Sequence, residues 1–165
     1  MAKNFILLAI LFGVVAAVMD DPMVDSNLPW DIVPVDQLRS SAKKVYSHYF
    51  APFPVSIDNK QPNADYYNNQ YLSPHGENNK WFFCGGYLRC RPYPRAPLND
   101  TNFKLRDLEM EVRRAIHYGL DGFTYDILTT SNTSNLYPVF PNLLNAAANV
   151  DSEFKVFLNT FSISF

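Results

Sequence analysis

The chain has 165 residues, of which 47% are hydrophobic and 18% are charged, and its formal net charge is −2. This balance is typical of a globular protein with one domain and a core, and it argues against intrinsic disorder. Because basic residues are not in surplus, neither nucleic acid nor an anionic membrane surface is an expected partner. Aromatic residues make up 15% of the chain, and this high share must enter a core, a ligand cleft or both.

The first residues have the pattern of a secretory signal peptide. A short basic segment, residues 1–4, precedes an uncharged apolar run from Phe5 to Val18, which Asp20 ends. The run is too short for an ordinary membrane span, and an uncleaved anchor is the alternative. We therefore predict a signal peptide over residues 1–19, a secreted protein without membrane contact after cleavage, and a polar N-terminal arm over residues 20–42.

The first strand is predicted within residues 43–50, which end at a proline-containing segment. Its residues with high strand propensity are Val45, Tyr46, Tyr49 and Phe50. Proline cannot donate to a strand ladder, and so Pro52 and Pro54 end the strand. His48 lies near the carboxyl end of the strand, where it is either a hydrogen-bonded core residue or a ligand-binding residue.

A long connection without a clear period follows the first strand, over residues 55–99. Loops of this length often bind ligands. Aromatic rings interleaved with Asn, Gln, Arg and Asp suit a sugar, because the C–H face of the sugar packs on a ring and its hydroxyls take polar partners. Trp81, Tyr66 and Tyr67 are candidate substrate-binding residues, and the alternative is that such rings pack the loop onto its own framework.

Cys84 and Cys90 are the two cysteines of the chain. In a secreted protein this pair favours a local disulfide, and the alternative is two reduced, buried thiols. Without a nearby pair of His residues, the two cysteines are a weak zinc signal, and no metal site or other cofactor is expected. Asn99 and Asn132 begin N-glycosylation sequons, which suit a secreted protein.

A helix is predicted to begin with Asp100 or Thr101 as its N-cap and to end before Gly119, which takes the left-handed conformation that ends many helices. Its apolar residues recur at helical spacing and are Leu105, Leu108, Val112, Ala115 and Ile116. They form one stripe, and most charged residues lie off it. We expect a solvated face that holds Lys104, Arg106, Asp107, Glu109, Glu111, Arg113 and Arg114.

A buried strand is predicted directly after this helix, within residues 119–128. Phe123 and Tyr125 belong to an apolar run that is typical of a strand covered on both faces in a parallel sheet. Asp126 interrupts the run near its carboxyl end, where ligands bind in parallel α/β folds. Asp126 is therefore a candidate binding or catalytic residue, and the alternative is an Asp that caps the next turn or pairs with an Arg. Asp121 opens the strand, and we interpret it as structural.

A second helix is predicted over residues 136–148, and a third strand over residues 153–159 that continues towards residue 165. Right-handed crossovers make the three strands parallel. A doubly wound sheet fits this order but lacks a Gly-rich first turn for a phosphate. The first part of a (β/α)8 TIM barrel also fits, although a barrel needs about 250 residues. We predict an α/β fold over residues 43–165, an incomplete (β/α)8 TIM barrel whose remaining strands are missing or lie on a second gene product.

Three stretches resemble glycoside hydrolase family 71, the secreted (β/α)8 enzymes that include fungal α-1,3-glucanases (mutanases). They are Lys44-Val45-Tyr46-Ser47-His48-Tyr49, Glu111-Val112-Arg113-Arg114-Ala115-Ile116 and Gly119-Leu120-Asp121-Gly122-Phe123. The resemblance runs from about Lys43 to Leu158. It departs from the family in the long first loop and in Asp126, where the family commonly has Asn. The catalytic acids proposed for the family lie on later strands and correspond to no residue here.

The resemblance implies a secreted glycoside hydrolase that cleaves the O-glycosidic bonds of a glucan. Inverting hydrolysis needs two carboxyl groups about 6.5–9.5 Å apart, and Asp126 is the one acid that we place at a strand end. We therefore expect His48, Asp126 and loop aromatics to bind a polysaccharide or oligosaccharide, with little activity from this chain alone. The alternatives are a non-catalytic carbohydrate-binding protein and a small α/β domain that associates with itself through open barrel edges.

Overall fold

Three parallel strands and four helices form the described part of a computed structural model, which covers residues 33–126 and 138–159. The predicted signal peptide, most of the predicted arm and Asn132 lie outside these residues, as do residues 127–137 and 160–165. Within the described ranges, no helix has the length and apolar character needed to span a bilayer.

The strands and long helices lie close to their predicted positions. The strands are β1 (Tyr46–Tyr49), β2 (Gly122–Asp126) and β3 (Lys155–Asn159), and the helices are α1 (Val35–Arg39), α2 (Gly76–Asn79), α3 (Phe103–His117) and α4 (Val139–Val150). The short helices α1 and α2 were not predicted, because a helix of four or five residues is too short to show a period. Each strand is shorter than predicted, since its flanking residues have strand propensity without ladder partners.

The sheet has the order β1-β2-β3, and both neighbouring pairs are parallel. The predicted three-stranded parallel sheet is therefore confirmed. Consecutive strand order has no reversal point of the kind that defines a doubly wound sheet. The sheet formed by the described residues is open, and they do not close into a barrel.

Helices α3 and α4 cover one face of this sheet and pack on each other. Their buried residues, among them Val112 and Leu143, meet Phe123 and Tyr125, which alternate along β2 and so point to the same side. Asn149 of α4 also donates to Glu109 of α3 over 3.0 Å. The apolar stripe predicted for α3 is thus the face that joins this core.

The opposite face of the sheet carries His48, Thr124 and Asp126. Two aromatic rings on the same face are exposed. Tyr46 and Phe157 are 39% and 47% exposed, and their rings meet edge to face with centroids 5.0 Å apart. The β2 residue in register with Tyr46 is Gly122, where a Cβ atom would lie 2.0 Å from the Lys155 carbonyl oxygen. A glycine is therefore required for the three strands to approach at this point.

The prediction of a solvated face on α3 is wrong for Asp107, Glu109 and Glu111. Asp107 and Glu109 are only 3% exposed, and Glu111 is partly buried. The Asp107 carboxylate accepts hydrogen bonds from Arg95 Nε and Arg95 Nη2, and the Glu109 carboxylate accepts one from Arg106. Arg95 of the long loop covers Asp107, whereas Asn149 of α4 donates to Glu109, and so both carboxylates are buried with partners instead of facing water.

The long loop is held by buried polar contacts. Arg91 contacts Asp65 at 2.5 Å, and these side chains are 12% and 3% exposed. Arg95 joins Asp107 of α3 to Asn59, whose amide oxygen accepts a hydrogen bond from Arg95 Nη1 over 2.7 Å. The loop also contains a π-helical turn, Tyr67–Tyr71, and a 3-10 turn, Phe82–Cys84. The sequence of the loop therefore lacks a hydrophobic period because the loop is irregular and is held by ion pairs.

The predicted disulfide is not formed, and both thiols are free. The Cys84 Sγ atom lies 3.3 Å from the Trp81 carbonyl oxygen and 3.4 Å from that of Gly86. Cys90 is exposed. The 3-10 turn directs the Cys84 thiol to these backbone carbonyls instead of to Cys90.

The ends of α3 differ in how well they were predicted. The N-cap position is Asn102, whereas Asp100 accepts from the Asn102 backbone N–H and from Arg106. The predicted N-cap is therefore wrong by one or two residues. At the other end, Gly119 has φ 78° and its N–H bonds to the Ile116 carbonyl, as predicted.

We predict that Gly119→Ala lowers the free energy of unfolding by about 1–2 kcal/mol. A non-glycine residue is strained at this φ, and its Cβ atom would lie 2.6 Å from Leu38 Cδ1. Urea denaturation measures the change. In the double variant Gly119→Ala with Leu38→Ala, the steric part of the loss is relieved and the backbone part persists. An unchanged unfolding midpoint in Gly119→Ala would contradict the strain.

Candidate functional site

His48 and Asp126 meet at the carboxyl edge of the sheet. His48 is in register with Thr124, and Asp126 lies two residues further along the same face of β2. The His48 Nε2 atom is 3.2 Å from Asp126 Oδ2. The expectation that both side chains open onto one edge is therefore met, because parallel strands end at the same side of the sheet.

The two side chains differ in exposure. The His48 side chain is 48% exposed, whereas that of Asp126 is 21% exposed. The second carboxylate oxygen, Asp126 Oδ1, is buried and accepts no hydrogen bond within the described residues. Burial of an acceptor without a donor is costly.

Asn159 is a third polar residue at this edge, and the sequence reasoning missed it. It is the last residue of β3, it is exposed, and it stands in register with Asp126. The available signal was its position at the end of a predicted strand, the argument already applied to Asp126. The edge therefore presents an imidazole, a carboxylate and an amide from three adjacent strands.

The acids of the long loop have partners elsewhere. Asp65 pairs with Arg91, Asp58 contacts Lys60 at 3.4 Å, and Glu77 accepts from two aromatic side chains. Asp121 lies at the opposite edge, as predicted for a structural residue. Among the described residues, Asp126 is thus the one carboxylate that ends a strand of the sheet.

A cavity of about 440 Å³ opens at the amino edge of the sheet, away from His48 and Asp126. Its charged groups are already paired. Arg39 contacts Asp151 at 2.7 Å, and Lys44 contacts Asp121 at 3.2 Å. The hydrogen bond from the Val45 backbone N–H, followed by the Lys44 contact, lowers the pKa of Asp121. These pairs join α1 to the strand starts, and we interpret the cavity as structural.

Tyr67 and Tyr66 are both predicted to bind substrate. They lie in the long loop and differ in how far they are buried. Tyr67 is fully buried, its hydroxyl donates to the Pro54 carbonyl over 2.7 Å, and Arg91 lies over its ring. Tyr67 is therefore not available to a ligand, and the alternative of a ring that packs the loop applies to it. Tyr66 is partly buried, with its hydroxyl 3.2 Å from Glu77 Oε1.

Trp81 lies over a strained turn. Its indole N–H donates to Glu77 Oε2 over 3.0 Å, and its ring packs against Tyr87 at a tilt of 32° with centroids 5.0 Å apart. This turn is the segment α2, and it is not a regular right-handed helix, because Glu77, Asn78 and Asn79 all have positive φ, between 48° and 64°. Three consecutive residues of this kind persist only where neighbouring contacts hold them, and such strain is concentrated at functional sites. Glu77 is held by Trp81 and Tyr66 and thereby fixes the orientation of the indole.

We define the aromatic stripe as Phe50, Phe53, Tyr87, Trp81 and Phe83. Successive ring centroids are 5.7, 6.3, 5.0 and 6.5 Å apart. Phe50, Tyr87 and Phe83 are 54%, 42% and 83% exposed. The stripe begins directly after β1, two residues beyond His48. An exposed row of rings beside polar groups is typical of carbohydrate recognition.

Glu111 forms a buried contact beneath the loop. The Tyr49 hydroxyl donates to Glu111 Oε2 over 2.7 Å. Burial, with the neighbouring Asp107 carboxylate, raises the pKa of Glu111 to about 7, although the Tyr49 hydrogen bond opposes the shift. The sequence contained a signal for this burial, because Glu111 is three residues from Leu108 and four from Ala115, both on the apolar stripe.

The described residues bring together no group of three His, Cys, Asp or Glu side chains that could hold a metal ion. Comparisons with models of protein families, with curated proteins and with solved structures found no match to this chain. The resemblance to glycoside hydrolase family 71 therefore stays a prediction.

We predict that the free energy of unfolding falls as the pH rises, because Glu111 holds its proton more tightly in the folded state than in the unfolded chain. The folded state keeps the Glu111 proton up to a pKa of about 7, whereas the unfolded chain releases it near 4.5. The stabilisation is complete below pH 4.5 and is lost between 4.5 and 7, by up to about 3 kcal/mol. Glu111→Gln, which keeps an acceptor for Tyr49, should remove this loss.

The measurement is urea denaturation across this pH range, expressed as the difference between wild type and Glu111→Gln. Glu153→Gln is the matched control, since the Glu153 side chain is 80% exposed. Parallel stability curves for wild type and Glu111→Gln would show that Glu111 titrates alike in the folded and unfolded states.

Proposed function

We propose that this protein recognises carbohydrate at the carboxyl edge of its sheet, with the aromatic stripe as the platform. The observation that carries the proposal is the His48–Asp126 contact at the ends of adjacent strands, from which the stripe continues through Phe50. Sugar hydroxyls would bond to His48, Asp126 and Asn159, and the C–H faces of successive units would pack on the rings.

The ligand class that suits this arrangement is an oligosaccharide or polysaccharide, with a glucan as the first expectation from the family resemblance. Several rings in a row match several sugar units, whereas one monosaccharide would cover only part of the stripe. Asn99 is exposed, and we propose that it carries an N-glycan and that the protein is secreted. These two proposals rest on the sequon and on the pattern of the first residues.

The second candidate function is hydrolysis of a glucan within a (β/α)8 barrel of the family 71 type. The consecutive order β1-β2-β3, with α3 and α4 on one face, is the arrangement that the first strands of such a barrel have. Hydrolysis requires a second carboxyl group about 6.5–9.5 Å away when the configuration inverts. The described residues offer Asp126 alone at this edge, and binding is therefore the better supported function.

We predict that the protein binds glucans on a glycan array and that removal of a ring from the stripe weakens binding roughly tenfold. Phe83→Ala is the principal variant, because this side chain is 83% exposed and its loss should not disturb the fold. Trp81→Ala tests the centre of the stripe. Tyr93→Ala is the control, since this half-exposed ring belongs to the same loop but not to the stripe.

Equal binding by Phe83→Ala, Trp81→Ala and wild type would exclude the stripe as the platform. Absence of binding to every glycan on the array would contradict carbohydrate recognition.

Release of reducing ends from α-1,3-glucan distinguishes the two candidate functions. We expect the wild-type chain to bind without measurable hydrolysis. Hydrolysis that Asp126→Asn abolishes, while binding persists, would instead favour the enzyme. Trp81→Ala should then lower binding and hydrolysis together, because both depend on the same platform.

A further inference from the structure

Two exposed cations lie at the end of the aromatic stripe that is remote from β1. Lys80 and Arg89 are both exposed, and neither forms an ion pair within residues 33–126 and 138–159. The Lys80 ammonium lies over the Trp81 ring, 4.9 Å from its centroid. Attraction between a cation and a ring at an exposed site is weak, about 0.5–1 kcal/mol, and so the ammonium can still pair with an anion.

Arg89 lies beside the turn that joins two rings of the stripe, Phe83 and Tyr87. Its Nη1 atom donates to the Gly86 carbonyl oxygen over 3.3 Å, and its guanidinium lies near Gly85. A guanidinium has five N–H donors in a planar fork that matches a carboxylate. Within the described residues the Gly86 carbonyl is the one acceptor that Arg89 meets, and donors therefore remain for a ligand.

The loop segment around the stripe has a surplus of positive charge, although the whole chain carries a net charge of −2. Residues 66–91 contain three Lys and Arg residues and one acid, Glu77. Arg91 is paired with Asp65, and the other two cations are the exposed ones. Both Glu77 oxygens accept hydrogen bonds, from Tyr66 and from the Trp81 indole. The cations are thus the charges of this segment that lack a partner.

We propose that this end of the stripe binds an acidic sugar unit, whose carboxylate or sulfate group pairs with Lys80 and Arg89 while its ring packs on the aromatic side chains. The inference rests on the proposed function and narrows its ligand from a neutral glucan to a saccharide with anionic units. The Asp126 carboxylate at the other end of the stripe repels anions. The acidic unit is therefore held away from the sheet edge, and this gives the bound saccharide a direction.

The test compares ligands that differ only in charge. They are a pentasaccharide of α-1,3-linked glucose, its form with carboxylates at C6 and its 6-O-sulfated form. In calorimetric titration of the full chain at low salt, we expect an acidic form to bind roughly tenfold more tightly than the parent. The gain should shrink in about 0.5 M NaCl, because exposed ion pairs are screened. The acidic form with the higher affinity identifies the anionic group, and affinities no higher than that of the parent would overturn the inference.

The double variant Lys80→Gln with Arg89→Gln tests the two cations. We expect it to lose roughly tenfold in affinity for the acidic pentasaccharide and to bind the parent within about twofold of wild type. The matched control is Lys43→Gln with Lys104→Gln, which changes the net charge equally at two exposed residues outside the stripe. An equal loss in the control would overturn the site, because the charge of the whole protein would then cause the attraction.

The two levels of proposal fail separately. If the parent pentasaccharide binds and the acidic forms gain nothing, carbohydrate recognition stands and the preference for an acidic unit is wrong. If no neutral or acidic glycan on an array binds, carbohydrate recognition itself is wrong. Sedimentation with phosphatidylserine-containing vesicles examines a lipid surface as the other partner. Vesicle binding that requires Lys80 and Arg89, without saccharide binding, would overturn the inference.

Discussion

The parallel register of β1 and β2 is the constraint on which the site depends. Pairing of Tyr46 with Gly122 sets His48 opposite Thr124 and brings its ring to Asp126. A slip of one residue would turn His48 to the helix-covered face. Gly122 permits this pairing because the Lys155 carbonyl occupies the space that a Cβ atom would need. The chemistry of the edge therefore follows from backbone packing two to four residues away.

The long loop depends on a second set of interactions, which are polar and buried. Asp107 on α3 forms an ion pair with Arg95, and Asp65 within the loop forms one with Arg91. Loss of one partner from such a pair leaves a buried charge and is far more costly than loss of an exposed ion pair. These contacts hold a segment with little regular structure against α3.

The edge and the stripe suit recognition better than they suit bond cleavage. His48 Nε2 and Asp126 Oδ2 lie 3.2 Å apart at the strand ends, where both side chains are open to a ligand. Such groups select hydroxyls and orient them. Glycoside hydrolysis needs in addition a protonated acid and a separate base, and Glu111, whose pKa is raised, is covered by the loop beneath the edge.

The sequence by itself determined the three strands, the two long helices, the left-handed Gly119 and the place of Asp126 at a strand end. Each of these follows from residues two to four positions apart, which local propensity and period describe. Only the tertiary structure decided that Tyr67 is buried, that Asp107 receives Arg95, that Cys84 is free and that Asn159 joins Asp126. Most of these outcomes depend on residues twelve or more positions apart, or on neighbouring strands, and packing and register set them. That the Cys84 thiol is free depends instead on the geometry of one irregular turn, and such a turn has no hydrophobic period from which it could be predicted.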